Sequence, residues 1–350
     1  MMSERKSILE LAWDVSEDVY RADPAISYST LSQFAREGVS CISHLKDKKS
    51  SEALRFGSLV DTLMTEPEQL ENKFVIAEFN KPTDVISKIV TNIWENSDKK
   101  NINLAKINPD TILMYINNEN YSSNWKDATR INKIVEEGQE YFSLLGLSEG
   151  KMLMTQYDFN KAQECVETLK SNDFTRSAFY VSPLDRHIEA HFQLKFKLVG
   201  SSYSIRCMFD RIIVNHEEKT IQPIDLKTTG KPEEIFEESF EVWRYDLQAS
   251  MYSYILRELC KRDDYFKDFT ILPFRFICIN RYNQKPVIWE DKLSTIDTAV
   301  RVNKFGEVLK SWYILLRELN WHIDNNKLDY SYETYNSGGV RKLNNLKLKQ

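Results

Sequence analysis

The chain has 350 residues, 42% of them hydrophobic, with only 10 Gly and 9 Pro, which suits one large or two modest packed domains and excludes a low-complexity or collagen-like chain. A formal net charge of −5 argues against a domain that is basic overall, yet leaves room for an enzyme that binds phosphate locally and holds cations with carboxylates. Cys41, Cys165, Cys207, Cys260 and Cys278 form no CxxC pair, which gives no support to a zinc ribbon or iron–sulfur cluster and fits buried thiols in a reducing cytoplasm.

The opening "MMSERKSILELAWDV" is too charged for a signal peptide, and no apolar run reaches membrane-span length, so a soluble cytoplasmic protein without a membrane partner is expected. No internal repeat is visible. Residues 1–80 read as a helical N-terminal region. "SYSTLSQFAREG" begins with Ser/Thr caps and ends at Gly38. "SSEALRFGSLVDTLMTEPEQLENKF" has helical spacing through Leu54, Leu59, Val60, Leu63 and Met64 and stops before Pro67. Residues 81–150 are polar and Asn-rich, with helical pieces such as "RINKIVEEGQEYFSLL", and read as an insertion or lobe. Residues 151–350 read as the core, opening on a helix over 157–180.

The period then changes from helix to strand. In "HIEAHFQLKFKLVG", Ile188, Ala190, Phe192, Leu194, Phe196 and Leu198 share one face and polar residues the other, the pattern of a half-buried strand. "YSIRCMFDRIIV" and "TIQPIDLKTT" are two further strands. "WRYDLQASMYSYILRELCKR" is a helix, "FTILPFRFICIN" a fourth strand and "QKPVIWED" a fifth. "TAVRVNKFGEVLKSWYILLRELNWHI" reads as one long final helix. This order predicts an α/β (α+β) domain on a central mixed sheet.

The hairpin "MFDRIIVNHEEKTIQPIDLKTTG" carries the chemistry. A turn centred between Glu217 and Glu218 makes residues whose numbers sum to 435 face each other, so Asp210 opposes Asp225. Directly opposed side chains lie about 5 Å apart at Cβ. Two carboxylates so placed repel unless a cation lies between them. Lys227 and Arg206 emerge on the same face by strand alternation, and a tight turn near Gly200 and Ser201 brings Glu189 there too. Clustered hard oxygens suit Mg²⁺ or Mn²⁺, and a neighbouring lysine can position or deprotonate a metal-bound water. Acidic-x-Lys is also a common surface pattern, as at Asp47–Lys49, Glu71–Lys73, Asp98–Lys100 and Glu290–Lys292. Geometry alone leaves both a catalytic centre and a surface ion-pair face open.

Strand-Asp, hairpin, "IDLKTTG" and then a helix carrying "QASMY" resemble the PD-(D/E)XK nuclease superfamily, in particular its RecB/RecE-like branch, which includes phage exonucleases of the exonuclease VIII type. The resemblance covers residues 157–280 and parts of the N-terminus. It implies a restriction-endonuclease-like core with a site at Glu189, Asp210, Asp225 and Lys227. Asp210, Asp225 and the Leu226 carbonyl would hold metal, and Lys227 would orient the attacking water. Gln248 and Tyr252, four apart on one helix face, would touch the substrate phosphate or support the lysine; by themselves they equally fit an ordinary amphipathic helix. "RFGSLVDTLMTEPEQ" resembles a RecE-like segment, with Asp61 standing where that family has a histidine metal ligand; Asp61 is read as a ligand, or otherwise as a polar position on a packed helix.

The resemblance further implies one or two Mg²⁺ (or Mn²⁺) ions and DNA as substrate. The activity would be an exonuclease on linear double-stranded DNA, 5′→3′, in phage or bacterial recombination. A single-strand annealing recombinase as partner and a homo-oligomeric state follow from the same source. Arg206 would bind substrate, and Tyr28, Trp243 and Tyr245 either stack on a frayed end or belong to the core. Two other readings stay open: a structure-specific or single-strand endonuclease on the same core, and an inactive nuclease fold used for DNA binding. No Walker A, GxGxxG or GxSxG motif is present.

Overall fold

The computed structural model describes residues 5–45, 51–97, 103–200, 203–297 and 299–340. Its backbone contacts define two compact units, one of residues 1–49, 169–280 and 285–350, the other of residues 50–168 and 281–284. These boundaries differ from a division at 80/81 and 150/151. Among the described residues no helix is long and apolar enough to cross a membrane. All five cysteines are buried.

The unit of residues 50–168 and 281–284 pairs two short parallel strands, β1 (Phe74–Ala77) and β2 (Met152–Thr155). The Glu52–Thr65 helix is capped by Ser51, whose side chain accepts from the Leu54 amide, and it ends before Pro67 as expected. The Asn-rich stretch that follows has its own core. Ile86, Ile89, Val90 and Ile93 recur at helical spacing on the Asp84–Asn96 helix and are all buried, together with Ile134, Tyr141 and Phe142 of the Asp127–Leu147 helix. The two helices approach closely at Gly138, where an added Cβ would lie 2.5 Å from Val90 Cγ2. Gly138→Leu is therefore expected to cost about 1–3 kcal/mol by overpacking, read as a lower urea midpoint for this unit. An unchanged midpoint would show that the contact is looser than its geometry.

The other unit is built on one sheet. Its strands are β3 (Ile188–Leu198), β4 (Ile205–Asn215), β5 (Thr220–Thr229), β6 (Thr270–Ile271), β7 (Phe274–Asn280) and β8 (Pro286–Asp291). The order is β3-β4-β5-β7-β8, with β6 beside β5. The β5–β6 and β5–β7 pairs are parallel and the rest antiparallel. A β-strand-to-parallel-strand connection needs a crossover, supplied here by the Phe236–Trp243 and Tyr245–Lys261 helices. The Tyr28–Glu37 helix ends at Gly38, as expected. Its Leu31 and Phe34 join Phe196, Phe209, Phe274 and Phe276 in the main core. This is the expected mixed sheet flanked by helices.

Four elements depart from the sequence expectation. The helix placed over 157–180 is two pieces, Gln156–Ser171 and Arg176–Phe179. "WRYDLQASMY" breaks at Arg244, whose φ of 57° ends one helix and starts the next. "FTILPFRF" breaks between β6 and β7 at Pro273, which has no N–H for a ladder. The proposed final helix is α-helical only over Trp312–Asn325, where Ser311 caps the Ile314 amide. The part before it folds as an antiparallel pair, β9 (Arg301–Val302) and β10 (Val308–Leu309), turning at Gly306 with φ 78°. "VRVNKFGEVL" has the alternation and the glycine of a hairpin; Thr298, the first residue of the expected final helix, lies outside the described residues, as does Ser201.

Candidate active site

Asp210 and Asp225 meet where the sheet splits. The β4–β5 ladder runs on the predicted register, numbers summing to 435, and its last pair is Arg211 with Ile224. From Ile224 onward β5 pairs instead with β7, Asp225 standing beside Phe276 and Lys227 beside Cys278. One step past the end of the β4–β5 ladder, Asp210 replaces the missing backbone bond with its side chain: Oδ2 accepts from the Leu226 amide at 2.8 Å. A charge-assisted bond of this kind fixes the carboxylate more firmly than a neutral one would.

Asp225 is 3% exposed. Its Oδ1 accepts from Gln248 Nε2 at 2.5 Å. Its Oδ2 faces the Lys227 ammonium as an ion pair but receives no hydrogen bond of proper alignment. Gln248 Oε1, also buried, has no hydrogen-bond partner among the described residues. Burial works against the charge on Lys227, but the Asp225 carboxylate outweighs it, helped by Tyr245 and Asp210, and the net pKa is raised. The lysine is thus an ammonium at neutral pH. The ring of Tyr245 lies under it, Nζ 4.8 Å from the centroid, and is itself stacked on Phe236 and Phe276. Tyr28 donates to the Trp243 carbonyl at 2.8 Å and sits 6.3 Å from Tyr245, ring to ring.

A divalent cation suits this set. The two carboxylates and the buried Gln248 Oε1 are hard donors, and Mg²⁺ typically takes one or two carboxylates and completes its shell with water and phosphate. Among the described residues no group of three or more His, Cys, Asp or Glu gathers at metal-binding range, so a closed all-protein cage is not what the site offers.

Glu189, Arg206 and Tyr252, in the same unit, have other surroundings. Glu189 does not reach the pair: β3 and β4 pair with numbers summing to 403, which sets Glu189 opposite Val214, four residues along from Asp210, or about 13 Å. It accepts from Ser7 Oγ at 2.5 Å and the Ile8 amide at 3.0 Å, and is bonded to His191 and His216 at 2.7 and 2.9 Å. Arg206 lies over Tyr20, 5.0 Å from the ring centroid, and donates to the Asp23 carbonyl; it ties the N-terminal segment to the sheet rather than joining the aspartates. Tyr252 shares the Gln248 helix face as predicted, but its ring is buried edge-on against Phe209 and Phe274. Asp61 is half-buried on the Glu52–Thr65 helix of the other unit, its carbonyl accepting from Thr65. Trp243 is exposed, with the Arg36 guanidinium 4.7 Å from its ring centroid. The place of Tyr245 beneath Lys227 was not foreseen, although it precedes Gln248 by three residues and so shares its helix face.

The Glu189 cluster has a pH signature. Burial opposes its charge, but the bonds from His191, Ser7 and His216 prevail and bring it down to about 2. Burial also lowers the pKa of His216. Both groups bind more protons unfolded than folded, so stability rises with pH in both windows. The His216 contribution is lost as pH falls from about 6.5 through its lowered value, and that of Glu189 between about 4.5 and 2. Glu189→Gln is expected to flatten the acid limb of the stability–pH curve by about 1–2 kcal/mol after solvent screening. An acid limb as steep as wild type would remove the cluster as its source.

A mixed sheet with two aspartates at its split and a lysine two residues on is the arrangement of the PD-(D/E)XK superfamily. Residues 27–281 match the model of the PDDEXK-like domain of unknown function (DUF3799), and the chain belongs to that family. A solved structure from Eubacterium rectale, described as a "Putative exonuclease", shares 10% identity over 94% of this chain and 89% of that one, with a TM-score of 0.40. A likeness at that level carries no argument about activity. No curated protein matches the chain.

Proposed function

We propose that this chain is a metal-dependent deoxyribonuclease that removes nucleotides from the ends of linear double-stranded DNA. The observation that supports this most is the convergence of Asp210, Asp225 and Lys227 at the split in the sheet, with Gln248 Oε1 buried and without a hydrogen-bond partner among the described residues. Asp210 and Asp225 would hold the cation, with the Leu226 carbonyl as an added ligand. When bound, Mg²⁺ or Mn²⁺ supplies a water of lowered pKa and charge neutralisation at the phosphate. The chain's own part is positional. The Leu226 amide holds Asp210, Gln248 Nε2 holds Asp225, and the Lys227 ammonium donates to the attacking water or to the phosphate as its charge builds. Paired with Asp225, Lys227 is read as an orienting cation. DNA would be engaged through its phosphates, without sequence preference.

End-labelled linear duplex, with the 5′ or the 3′ end blocked in turn, tests this reading. Cleavage with Mg²⁺ or Mn²⁺, abolished by EDTA and by a blocked 5′ end, is expected; the 5′→3′ direction rests on the RecE-like resemblance alone. Products from closed circular DNA would mark an endonuclease instead. Duplex binding without cleavage under either metal would leave an inactive DNA-binding module.

A further inference from the structure

The Phe236–Trp243 and Tyr245–Lys261 helices meet at Arg244, the residue on which the crossover between β5 and β7 turns. Its φ of 57° and ψ of 45° are left-handed, a region that few residues other than glycine adopt. A backbone of this kind persists where its surroundings hold it, and here they hold it from both sides. The Trp243 carbonyl, just before the break, accepts from the Tyr28 hydroxyl at 2.8 Å and from Ser32 Oγ at 2.7 Å. Just after it, the Leu247 amide donates to the Arg244 carbonyl at 2.9 Å.

The side chain of Arg244 closes the break. Its Nε and Nη2 donate to the two carboxylate oxygens of Asp246 at 2.9 and 3.0 Å, and Nη2 also donates to the Lys310 carbonyl at 2.7 Å. Both partners of this ion pair are buried. A planar fork matched to a carboxylate fixes direction as well as charge, which a lysine cannot do. Charge balance alone does not call for it, because Arg301 Nε already lies 4.0 Å from Asp246. What the fork adds is a fixed first helical turn, and that turn carries the support of the site. Tyr245, beneath the Lys227 ammonium, is the residue between Arg244 and Asp246. Gln248, whose Nε2 holds Asp225, follows within one turn. Any change in the direction of that turn moves both.

We propose that Arg244 is a positioning residue for the Asp225–Lys227 pair: its fork on Asp246 fixes the start of the Tyr245–Lys261 helix, so that Gln248 reaches Asp225 and Tyr245 lies beneath Lys227. Arg244 acts through these two side chains and has no part in the chemistry itself. The consequence for the bound cation rests on the nuclease reading, whereas the placement of Gln248 is measurable without it.

The full chain, labelled with ¹⁵N-glutamine, reports the Gln248 side-chain amide, assigned by its loss in Gln248→Met. Arg244→Gly is the deciding variant, because glycine accepts the left-handed φ and only the fork is removed, while Arg301 stays beside Asp246. In metal-free Arg244→Gly the Gln248 amide protons are expected to leave their Asp225-bonded position. The Mg²⁺ concentration for half-maximal cleavage, measured well below the melting temperature and per folded molecule, should rise about tenfold, since a small misplacement of a supporting group is costly. Arg244→Lys should behave in the same way. Asp246→Asn keeps the shape and part of the fork; it should show both effects to a smaller degree, and it decides the matter if Arg244→Gly does not fold. An unmoved Gln248 resonance overturns the proposal, because the backbone alone then sets the turn. A moved resonance with the wild-type Mg²⁺ requirement also overturns it and leaves the nuclease reading intact. A wild-type chain that cleaves nothing removes the nuclease reading by itself, and the resonance still decides whether Arg244 places Gln248.

Discussion

Asp225→Asn is expected to reduce Mg²⁺-dependent cleavage on the order of 10³-fold and to destabilise the chain by about 3 kcal/mol. The two effects have different origins. The catalytic loss follows from removing the negative charge that faces the Lys227 ammonium and would hold the cation. The stability loss follows from leaving the Lys227 ammonium in a half-buried place with Asp225's charge gone. Gln248 Nε2 can still donate to the introduced amide oxygen, so the packing around the site is kept. Asp225→Asn combined with Lys227→Met separates the two: stability should return to within about 1 kcal/mol of wild type, since neither charge remains, and cleavage should stay absent. Thermal melts and single-turnover cleavage of labelled duplex read the pair of effects. Near-normal cleavage by Asp225→Asn would remove this carboxylate from the mechanism. Full activity in the double variant would remove the whole site.

The register of the central hairpin was legible because strand alternation has a period of two and the turn "NHEEKT" fixes its centre. From that alone Asp210 falls opposite Asp225 with Lys227 on the same face, and the ladder agrees as far as Arg211 and Ile224. What alternation could not show is that the ladder stops there. The exchange of partners, from β4 to β7, is a property of the whole sheet, and it is what frees Asp210 to bond the Leu226 amide. The neighbouring hairpin was less determinate. Sharing a face is not sharing a position, and Glu189 is on the expected face but four residues too far along. Arg206 failed for another reason: a long cationic side chain goes to the nearest carbonyls and aromatic face, here Asp23 and Tyr20, which lie far away in sequence. The helix break at Arg244 was hidden as well, because a left-handed φ at a non-glycine residue leaves little trace in sequence.

Phe276→Ala is expected to cost about 3–5 kcal/mol, the range for a fully buried phenylalanine, and to lower cleavage as well. Phe276 is 0% exposed. It packs against Phe236, Phe240, Phe274 and Tyr245, with centroids 4.9 to 5.9 Å away. It also stands beside Asp225 in the β5–β7 ladder. Losing the ring therefore empties the floor on which Tyr245 lies, and Tyr245 is the surface beneath the Lys227 ammonium. Two readouts distinguish a general loss of stability from a displaced lysine. If only folding suffers, cleavage measured well below the melting temperature should match wild type per folded molecule. If Tyr245 sinks into the cavity, the rate per folded molecule should fall about tenfold, because a small misplacement of a positioning group is costly. Phe276→Leu, which keeps most of the volume, should recover most of both losses. A rate unaffected by Phe276→Ala would mean that Lys227 is held by Asp225 alone, and that the aromatic floor serves the core and not the site.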